Sequence, residues 1–497
     1  PSWPPAKGRL TMARMTSDQL LQAVTQEVEW SIGREGDEVT QERANALARY
    51  EGELYGDERE GRSKVMDRSV FETVEWFMPP ALRAFFGTNE TVVFEPEGPE
   101  DEKAAKQATD YVHYVVMRDN PGFLIFYDWI KDALITKNGI VKFWWEDREK
   151  VEEQTFEGLN ELEYLEIVGD DDVEVLEHTE RAAEEASGIA GPEALIAAAQ
   201  GGFSSPMLHD VKIRKTRKDG RVCIRNVAPE NFMISRRAST IHTARAVCHR
   251  EKYTYSDLIE EGYEKSFVDT LPFDDDDLAD DNDLEIERWD DIPDELAPAD
   301  TSDSAMRECW VYEAYIWLDF EQKGKAHLYK VRFAGGTANA VLLPDPDTNE
   351  KAVKFDHIPF ADLCPIRLPH RWAGLSLADT VLEIQEIKTT LLRQMLDSLY
   401  LANNPRYTAL KNQVNVDDLL NNGPGSVVRI DAPGAVDTLN TEFVGAQSFP
   451  MMQYIDQVRE YRSGVGLQSA GMLPEALQNE TAEGVRDARS AIEARVE

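Results

Sequence analysis

The sequence predicts an α+β chain, mainly helical, in which one long helix follows directly on a compact β module. Three observations carry that reading. From Ser376 to Asn404 the residues Leu377, Val381, Ile384, Ile387, Leu391, Met395 and Leu399 recur at three and four residues, the helical period. Between about 308 and 368, short segments alternate apolar and polar residues and are punctuated by turns such as Gly335-Gly336. The chain of 497 residues is 42% apolar and 9% aromatic, enough to bury sizeable cores in about three domains, and no apolar run reaches the roughly 18 residues of a membrane span.

The long helix is the firmest element. Ser376 caps its first turn with Asp379 three residues on, a capping box with the shorter acid. Pro405 drives the preceding residue out of the helical region and ends it. About 28 residues make a rod of roughly 42 Å, at least twice the usual helix length. A helix this long serves either as a core element or as a strut in a larger assembly.

From the start, residues 1–15 read as an arm, followed by a helix capped by Ser17 and running to about Ile32, and another from about Val39 to Glu51. YGDEREGRSK, residues 55–64, is a charged loop. The aromatic helix from about Asp67 to Phe86 should break or kink at Pro79-Pro80. Thr91 to Phe94 reads as a short strand. Helices at Glu100–Arg118 and Gly122–Lys137 flank the turn Asn120-Pro121-Gly122, and Gly139–Glu146 is a strand. Residues 150–205 are glutamate-rich, with helix expected from Glu177 to Gln200, and read as a peripheral insertion. Strands follow at Val211–Thr216, Arg221–Val227 and Phe232–Ser235, with Lys218-Asp219-Gly220 as a hairpin turn. Ser256 caps the next helix. Residues 273–300 form the most acidic tract and read as a solvated, mobile loop, because the spacing and turn glycine of a calcium loop are missing. Strands at Trp310–Phe320, His327–Phe333 and Ala340–Leu343 build the β module, and Asp345–Asp356 is a hairpin tip. After the long helix come a turn at Pro433-Gly434, a helix at Phe449–Tyr461 and a glycine-rich loop at 463–480. Helical character returns after about Thr481, the pattern of a hinge or functional loop between helices.

Lys plus Arg total 53 against 93 Asp plus Glu, a formal charge of −40, which excludes bulk attraction to a phosphate backbone. Cys223, Cys248, Cys309 and Cys364 are far apart, with no CxxC, and read as reduced thiols in an intracellular setting. The eight histidines are scattered, so no metal or cofactor site is expected. Phosphate-loop, dinucleotide, zinc-protease and nucleophile-elbow signatures are all missing, which argues against an enzyme. The start on Pro1, without a signal-peptide core, and the end within a helical pattern read as a piece of a longer chain.

YEGELYGDEREGRSKVMDRSVFETVEWFMPPALRAFF, DNPGFLIFYDWIKDALITKNGIVKFWWE, HIPFADLCPIRLPHRWAGLSLADTVLEIQEIKTTLLRQMLDSLYLANNPRY and VNVDDLLNNGPGSVVRIDAPGAV lie within 50–146 and 357–436. Long and in order, these blocks resemble the portal, or head-to-tail connector, proteins of short-tailed (podovirus-type) bacteriophages. Residues 150–310 are only loosely similar.

The resemblance implies the portal fold: a helical wing and stem with a small β-rich clip, assembled as a ring of about twelve copies at one capsid vertex. Double-stranded DNA is packaged and ejected through its channel. The implied partners are terminase, a tail adaptor or head-completion protein, and the capsid and scaffolding proteins, in the virion and without a membrane. The implied divisions are a wing at 1–307 (with the acidic insertion 150–205 and acidic loop 273–303), a clip at 308–370, a stem helix at 371–404, a wing β segment at 405–448, and a channel helix with tunnel loop at 449–497. Residues 256–306 are too acidic and broken to serve as the other stem helix, and no crown is seen up to 497. On this reading Ile384, Ile387, Lys388, Leu391 and Met395 belong to the stem, and Tyr312, Tyr315, His327, Tyr329, Asp345 and Asp347 to the clip. Ser463, Gly464, Gly466, Gln468, Ser469, Gly471, Gln478, Asn479, Arg462 and Arg486 face DNA. Arg459, Arg462, Arg486 and Arg489 flank the loop and either touch phosphate or pair with Glu460 and Asp487 between subunits; pairing is favoured in so acidic a neighbourhood. Two rival functions stand beside this one: a virion adaptor or scaffold-type protein without a channel, and a metal-dependent nuclease using the aspartate tract.

Overall fold

The computed structural model describes residues 14–34, 36–87, 92–169, 173–182, 207–273, 283–289, 303–337, 339–346, 348–421, 423, 425–439, 443 and 445–466. Its elements in chain order are α1 (Ser17–Glu29), β1 (Ser31–Ile32), α2 (Glu38–Glu51), α3 (Ser69–Phe86), α4 (Glu102–Tyr114), α5 (Gly122–Thr136), β2 (Gly139–Leu159), α6 (Glu161–Val168), β3 (Val173–Ala182), β4 (Met207–Val227), β5 (Phe232–Ser235) and β6 (Ala246–Thr254). They continue with α7 (Tyr255–Glu260), α8 (Lys265–Val268), α9 (Asp283–Trp289), β7 (Glu308–Leu318), β8 (His327–Ala334), β9 (Val341–Leu343), β10 (Val353–Lys354), β11 (Phe360–Leu363), α10 (Leu377–Asn403), β12 (Arg406–Ala409), α11 (Val416–Leu420), β13 (Val436–Leu439) and α12 (Gly445–Ser463). Helices and strands both contribute, so the chain is α+β. It divides into a larger unit, residues 1–113, 121–142 and 225–497, and a smaller one, residues 114–120 and 143–224.

The larger unit is built on an antiparallel sheet of order β1-β5-β6-β7-β8-β10, with β9 also on β8. Alternation along β7 sends Tyr312, Ala314 and Ile316 to one face, where they pack with Val331, Phe333 and the α1 residues Leu20, Val24 and Val28. Tyr315 faces the other way, into Phe232, Val247, Phe360 and Trp372. The module expected at 308–368 is therefore not self-contained: its central strand pairs with β6, and the sheet extends to residues 31–32. One acid lies buried within it. The Glu313 carboxylate takes Lys142 Nζ at 3.0 Å, Lys330 Nζ at 3.3 Å and the Tyr315 hydroxyl at 2.6 Å. Burial alone would raise this carboxyl, but Lys142 and Lys330 outweigh it and hold it well below the usual range.

A helical layer, α2, α3, α5, α9 and α10, buries Leu47, Val74, Met78, Ile130, Leu134, Leu284 and Leu377 together. Arg43 lies fully inside the larger unit, donating Nε to Thr136 O at 2.9 Å and an amino group to Pro229 O at 3.3 Å; burial lowers its pKa to about 10.

In the smaller unit the strands run β2-β4-β3. Asn120 ties this unit together, with Nδ2 donating to Val115 O and Val222 O at 2.9 Å each and Oδ1 accepting Ile224 N–H at 2.9 Å. Residues 115–119, expected as ordinary helix, form a π-helical turn.

Several expectations are corrected. The helix 69–86 runs through Pro79 and Pro80 without a break. Residues 92–94 are not a strand; the Phe94 N–H is satisfied by Thr109 Oγ1 at 3.0 Å. Lys218-Asp219-Gly220 is not a turn, because β4 is continuous. Gly220 instead leaves room for the Trp145 indole, whose Cζ2 would lie 2.0 Å from an added Cβ. Glu177–Ala182 is strand, paired with Met207–Lys212, rather than helix, while 183–200 lie outside the described residues. Thr254, not Ser256, caps α7, in a capping box with Asp257. The acidic tract is not simply a solvated loop. Residues 283–289 form a helix whose Leu284 is wholly buried and whose Glu285 takes Arg250 at 2.8 Å. The remaining residues of 274–302 lie outside the described ones.

Replacing Glu313 with Ala leaves Lys142 and Lys330 facing an uncompensated buried site. We expect a loss of about 3–5 kcal/mol, measured by urea unfolding, with Glu313→Gln costing less.

Candidate functional site: the paired helices and the start of the loop

Helix α10 has the expected Ser376 cap and ends before Pro405, but it begins at Leu377 rather than at 371. The Ser376 side chain accepts Asp379 N–H at 3.0 Å and Asp379 Oδ2 accepts Ser376 N–H at 2.7 Å. Just before it, a Cβ on Gly374 would stand 2.2 Å from Ile366 O, so only glycine fits the close approach there. The buried face carries Leu377, Ala378, Val381 and Ile384, packed with Ala46, Val70 and, from α12, Ile455.

The same face also carries polar residues, and each has a partner. Gln385 Oε1 accepts Val70 N–H at 2.8 Å and its amide donates to Arg49 O at 2.9 Å. Thr389 Oγ1 accepts Asp67 N–H at 3.1 Å. Lys388 Nζ lies between Asp67 at 3.1 Å and Asp456 at 2.9 Å, bridging the 55–68 loop, α10 and α12. Burial opposes its charge, but Asp456 and Asp67 overcome that and raise its pKa. One turn on, Arg393 reaches Asp57 at 2.9 Å and Val65 O at 2.9 Å, and Asp397 takes Arg62 at 3.2 Å and Ser63 N–H at 2.8 Å.

Helix α12 is fastened in the same way. Arg459, buried and stacked over Trp76, pairs with Glu72 at 2.6 Å, and Arg462 pairs with Glu383 at 3.3 Å. Both partners, Glu72 and Glu383, lie in the same chain. Arg459 is spent on structure, whereas the Arg462 and Glu383 side chains remain 49% and 78% exposed. The helix ends at Gly464, left-handed at φ 72°, whose N–H reaches Glu460 O at 2.8 Å. Ser463 Oγ donates to Arg459 O at 2.8 Å and accepts Val465 N–H at 3.1 Å. Arg462, Ser463, Gly464 and Gly466 are thus placed together, while Gln468, Ser469, Gly471, Gln478, Asn479, Arg486, Asp487 and Arg489 lie outside the described residues.

Of the expected stem residues, Ile384 and Lys388 are buried, Leu391 and Met395 half-buried, and Ile387 is 50% exposed. Of the expected clip residues, Tyr312, Tyr315 and Tyr329 are buried in the sheet core and present no surface to a partner. His327 is half-buried, and Asp345 accepts Thr348 N–H and hydroxyl at 3.0 Å; Asp347 is not described. Sequence reasoning missed Asp67, Glu72, Gln385 and Arg393. The available signal was Gln385, Lys388 and Thr389 on an otherwise apolar stripe, positions that require partners once buried.

A pocket of about 480 Å³ opens between α2, α5 and α9, lined by Tyr50, Lys131, Asp132, Glu230 and Arg288 among others. Arg288 reaches Glu230 at 2.7 Å and Asp132 at 3.9 Å. Burial, with Glu230 and Asp128 adding to it, pushes Asp132 up to about 7 against the pull of Arg288 and Arg43. The folded carboxyl therefore binds a proton more tightly than the unfolded one. This stability is full below pH ~4 and lost as pH rises through about 7.

Two outcomes follow from these helices. Lys388→Met should strand Asp67 and destabilise the chain by about 3–5 kcal/mol in chemical unfolding. Asp132→Asn should gain about 1–4 kcal/mol over wild type at pH 8, a difference that shrinks toward pH 5 in thermal melts across that range.

Among the described residues no helix is long and apolar enough to cross a membrane. A comparison with curated proteins finds no match. The family model described as Phage SU10 portal protein matches residues 20–497, nearly the whole chain, including both paired helices, the sheet and the smaller unit. The chain therefore belongs to this family of phage portal proteins, structural components of the virion rather than enzymes.

Proposed function

We propose that the chain forms a closed ring of about twelve copies at one capsid vertex. DNA is packaged and ejected through the ring, terminase docks on it first, and a tail adaptor or head-completion protein replaces terminase later. The family match over residues 20–497 carries this reading. The surface of the helix pair supports it. On α12, Phe449, Met451, Tyr454 and Tyr461 are exposed, and on α10 so are Ile387, Leu399 and Tyr400. In a chain of formal charge −40, so much uncovered aromatic and aliphatic surface on two packed helices fits contact between copies.

The charge fits a conduit. A ring of such chains carries several hundred negative charges, and an acidic wall repels a duplex and leaves it free to slide, whereas each phosphate contact adds affinity through counterion release. The channel-facing assignment centres on the end of α12, where Arg462 and Ser463 to Gly466 begin the loop. With the three tyrosines buried, docking on the clip falls to the other residues of 308–370.

Native mass spectrometry and negative-stain microscopy of the purified chain should give a centrally pored ring of about twelve subunits. A stable small oligomer that cleaves DNA with magnesium would overturn the reading. The ring should hold duplex DNA weakly and lose it with added salt; nanomolar retention at physiological salt would sink the conduit argument. Arg462→Glu, which sets two acids side by side at Glu383, should impair packaging or genome retention if Arg462 touches DNA, and should leave both near wild type if its role is only the surface pair with Glu383.

A further inference from the structure

The eight histidines are scattered in sequence, yet the smaller unit brings two of them together. Glu180 on β3 stands directly across from His209 on β4, and His178, two residues before Glu180, lies on the same face. His178 Nε2 and His209 Nδ1 are 2.9 Å apart, and the imidazole planes are nearly parallel, at 17° with centroids 5.1 Å apart. The Tyr164 ring, from α6, covers both, 4.7 Å from each and within 15° of parallel. One donor atom each from His178, Glu180 and His209 lies within 4.8 Å of the others.

We propose that His178, His209 and Glu180 form a site for one divalent cation of the zinc class. Two imidazole nitrogens and one carboxylate are the donor set that Zn²⁺ takes when it keeps its fourth position for water or another ligand. Imidazole donors favour Zn²⁺, Co²⁺ or Ni²⁺ over Mg²⁺ and Ca²⁺, which prefer all-oxygen cages. Nitrogens bound to one tetrahedral zinc at about 2.0–2.1 Å are separated by roughly 3.3 Å, so to bind one ion the pair must open by a few tenths of an ångström, exchange its hydrogen bond for the metal, and turn both rings so that their lone pairs converge on it. Tyr164 restrains both rings, as an outer partner that orients ligands does. His209 is buried, while His178 and Glu180 are exposed, which gives the ion an entry path. Bound metal would clamp β3 to β4 and both to α6 through Tyr164.

The test is titration of tag-free, chelator-treated full-length chain with ZnCl2 by calorimetry, paired with CoCl2 absorption spectroscopy. Because His178 and Glu180 are exposed, His178→Ala and Glu180→Gln should fold normally and give a clean comparison. The wild type should take up one Zn²⁺ per chain and give the visible bands of tetrahedral Co²⁺, with no displacement by millimolar Mg²⁺. His178→Ala should lose at least tenfold in affinity together with those bands, and Glu180→Gln a smaller factor. A wild type that takes up no Zn²⁺, a His178→Ala protein that binds like wild type, or full competition by Mg²⁺ would each overturn the assignment.

Discussion

The Lys388 ammonium group is the point on which the helical layer turns. It stands on the longest helix, takes Asp67 from the loop before α3 and Asp456 from α12, and is almost fully withdrawn from water. A buried cation is tolerated only with its charge and donors matched. Three segments remote in sequence must therefore arrive together, or the lysine is left uncompensated. The apolar contacts of Val381, Ile384 and Ile455 are non-directional and would accept small shifts along the helix axis. The Lys388, Gln385 and Thr389 bonds accept none. Hydrophobic burial brings α10 and α12 into contact and the Lys388–Asp456 pair fixes their register, while Gln385 and Thr389 fix α10 against α2 and the start of α3.

How much was legible in the sequence depends on whether the signal was local. Helix α10 was readable because its cap, its period and its terminating proline all lie in one stretch, and the helix runs from its Ser376 cap to Asn403. Most strands of the main sheet were readable from alternation. What failed depended on tertiary context. Gly220 reads as a turn residue, but its missing Cβ makes room for Trp145. Tyr312, Tyr315 and Tyr329 were assigned to the clip by resemblance, but Tyr312 and Tyr329 are buried with Leu20, Val24 and Val28 of α1, and Tyr315 with Phe232, Phe360 and Trp372 on the other face of the sheet. In the acidic tract, composition masked a helix whose Leu284 packs with Leu47 of α2 and whose Glu285 and Arg288 pair with Arg250 and Glu230. At the helix pair, the stripe of α10 was legible and its partners were not, since Asp67 and Glu72 are more than 300 positions away in sequence. The histidine pair was invisible for the same reason, because only the β3–β4 register brings residues 178 and 209 together.

The arginines at the end of α12 show how an acidic chain uses its few cations. With 53 basic residues against 93 acidic ones, each cation has many possible partners, and the nearest sequence neighbour is a poor guide. Arg459 passes over Glu460 for Glu72, where stacking on Trp76 adds to the charge pairing. Arg462, three residues on, lies about a turn further around the helix and meets Glu383 at the surface. The first is a buried anchor. The second is a solvent-screened pair of small energetic weight, and that weakness leaves Arg462 available to exchange partners.

On the ring reading, this gradient along α12 has a mechanical consequence. Lys388–Asp456 and Arg459–Glu72 hold the helix two turns and one turn before its end. Beyond them only the exposed Arg462 pair and the Ser463 turn precede the left-handed Gly464. On that reading, a force transmitted through Gly466 meets the buried Val465, the left-handed Gly464 and the weak Arg462 pair. It reaches the buried bridge only after these have yielded. Deformation is thereby confined to the last turn, while the register of α10 and α12 is preserved. If the ring passes DNA as proposed, this separation lets the helix end give way locally without disturbing the register of α10 and α12.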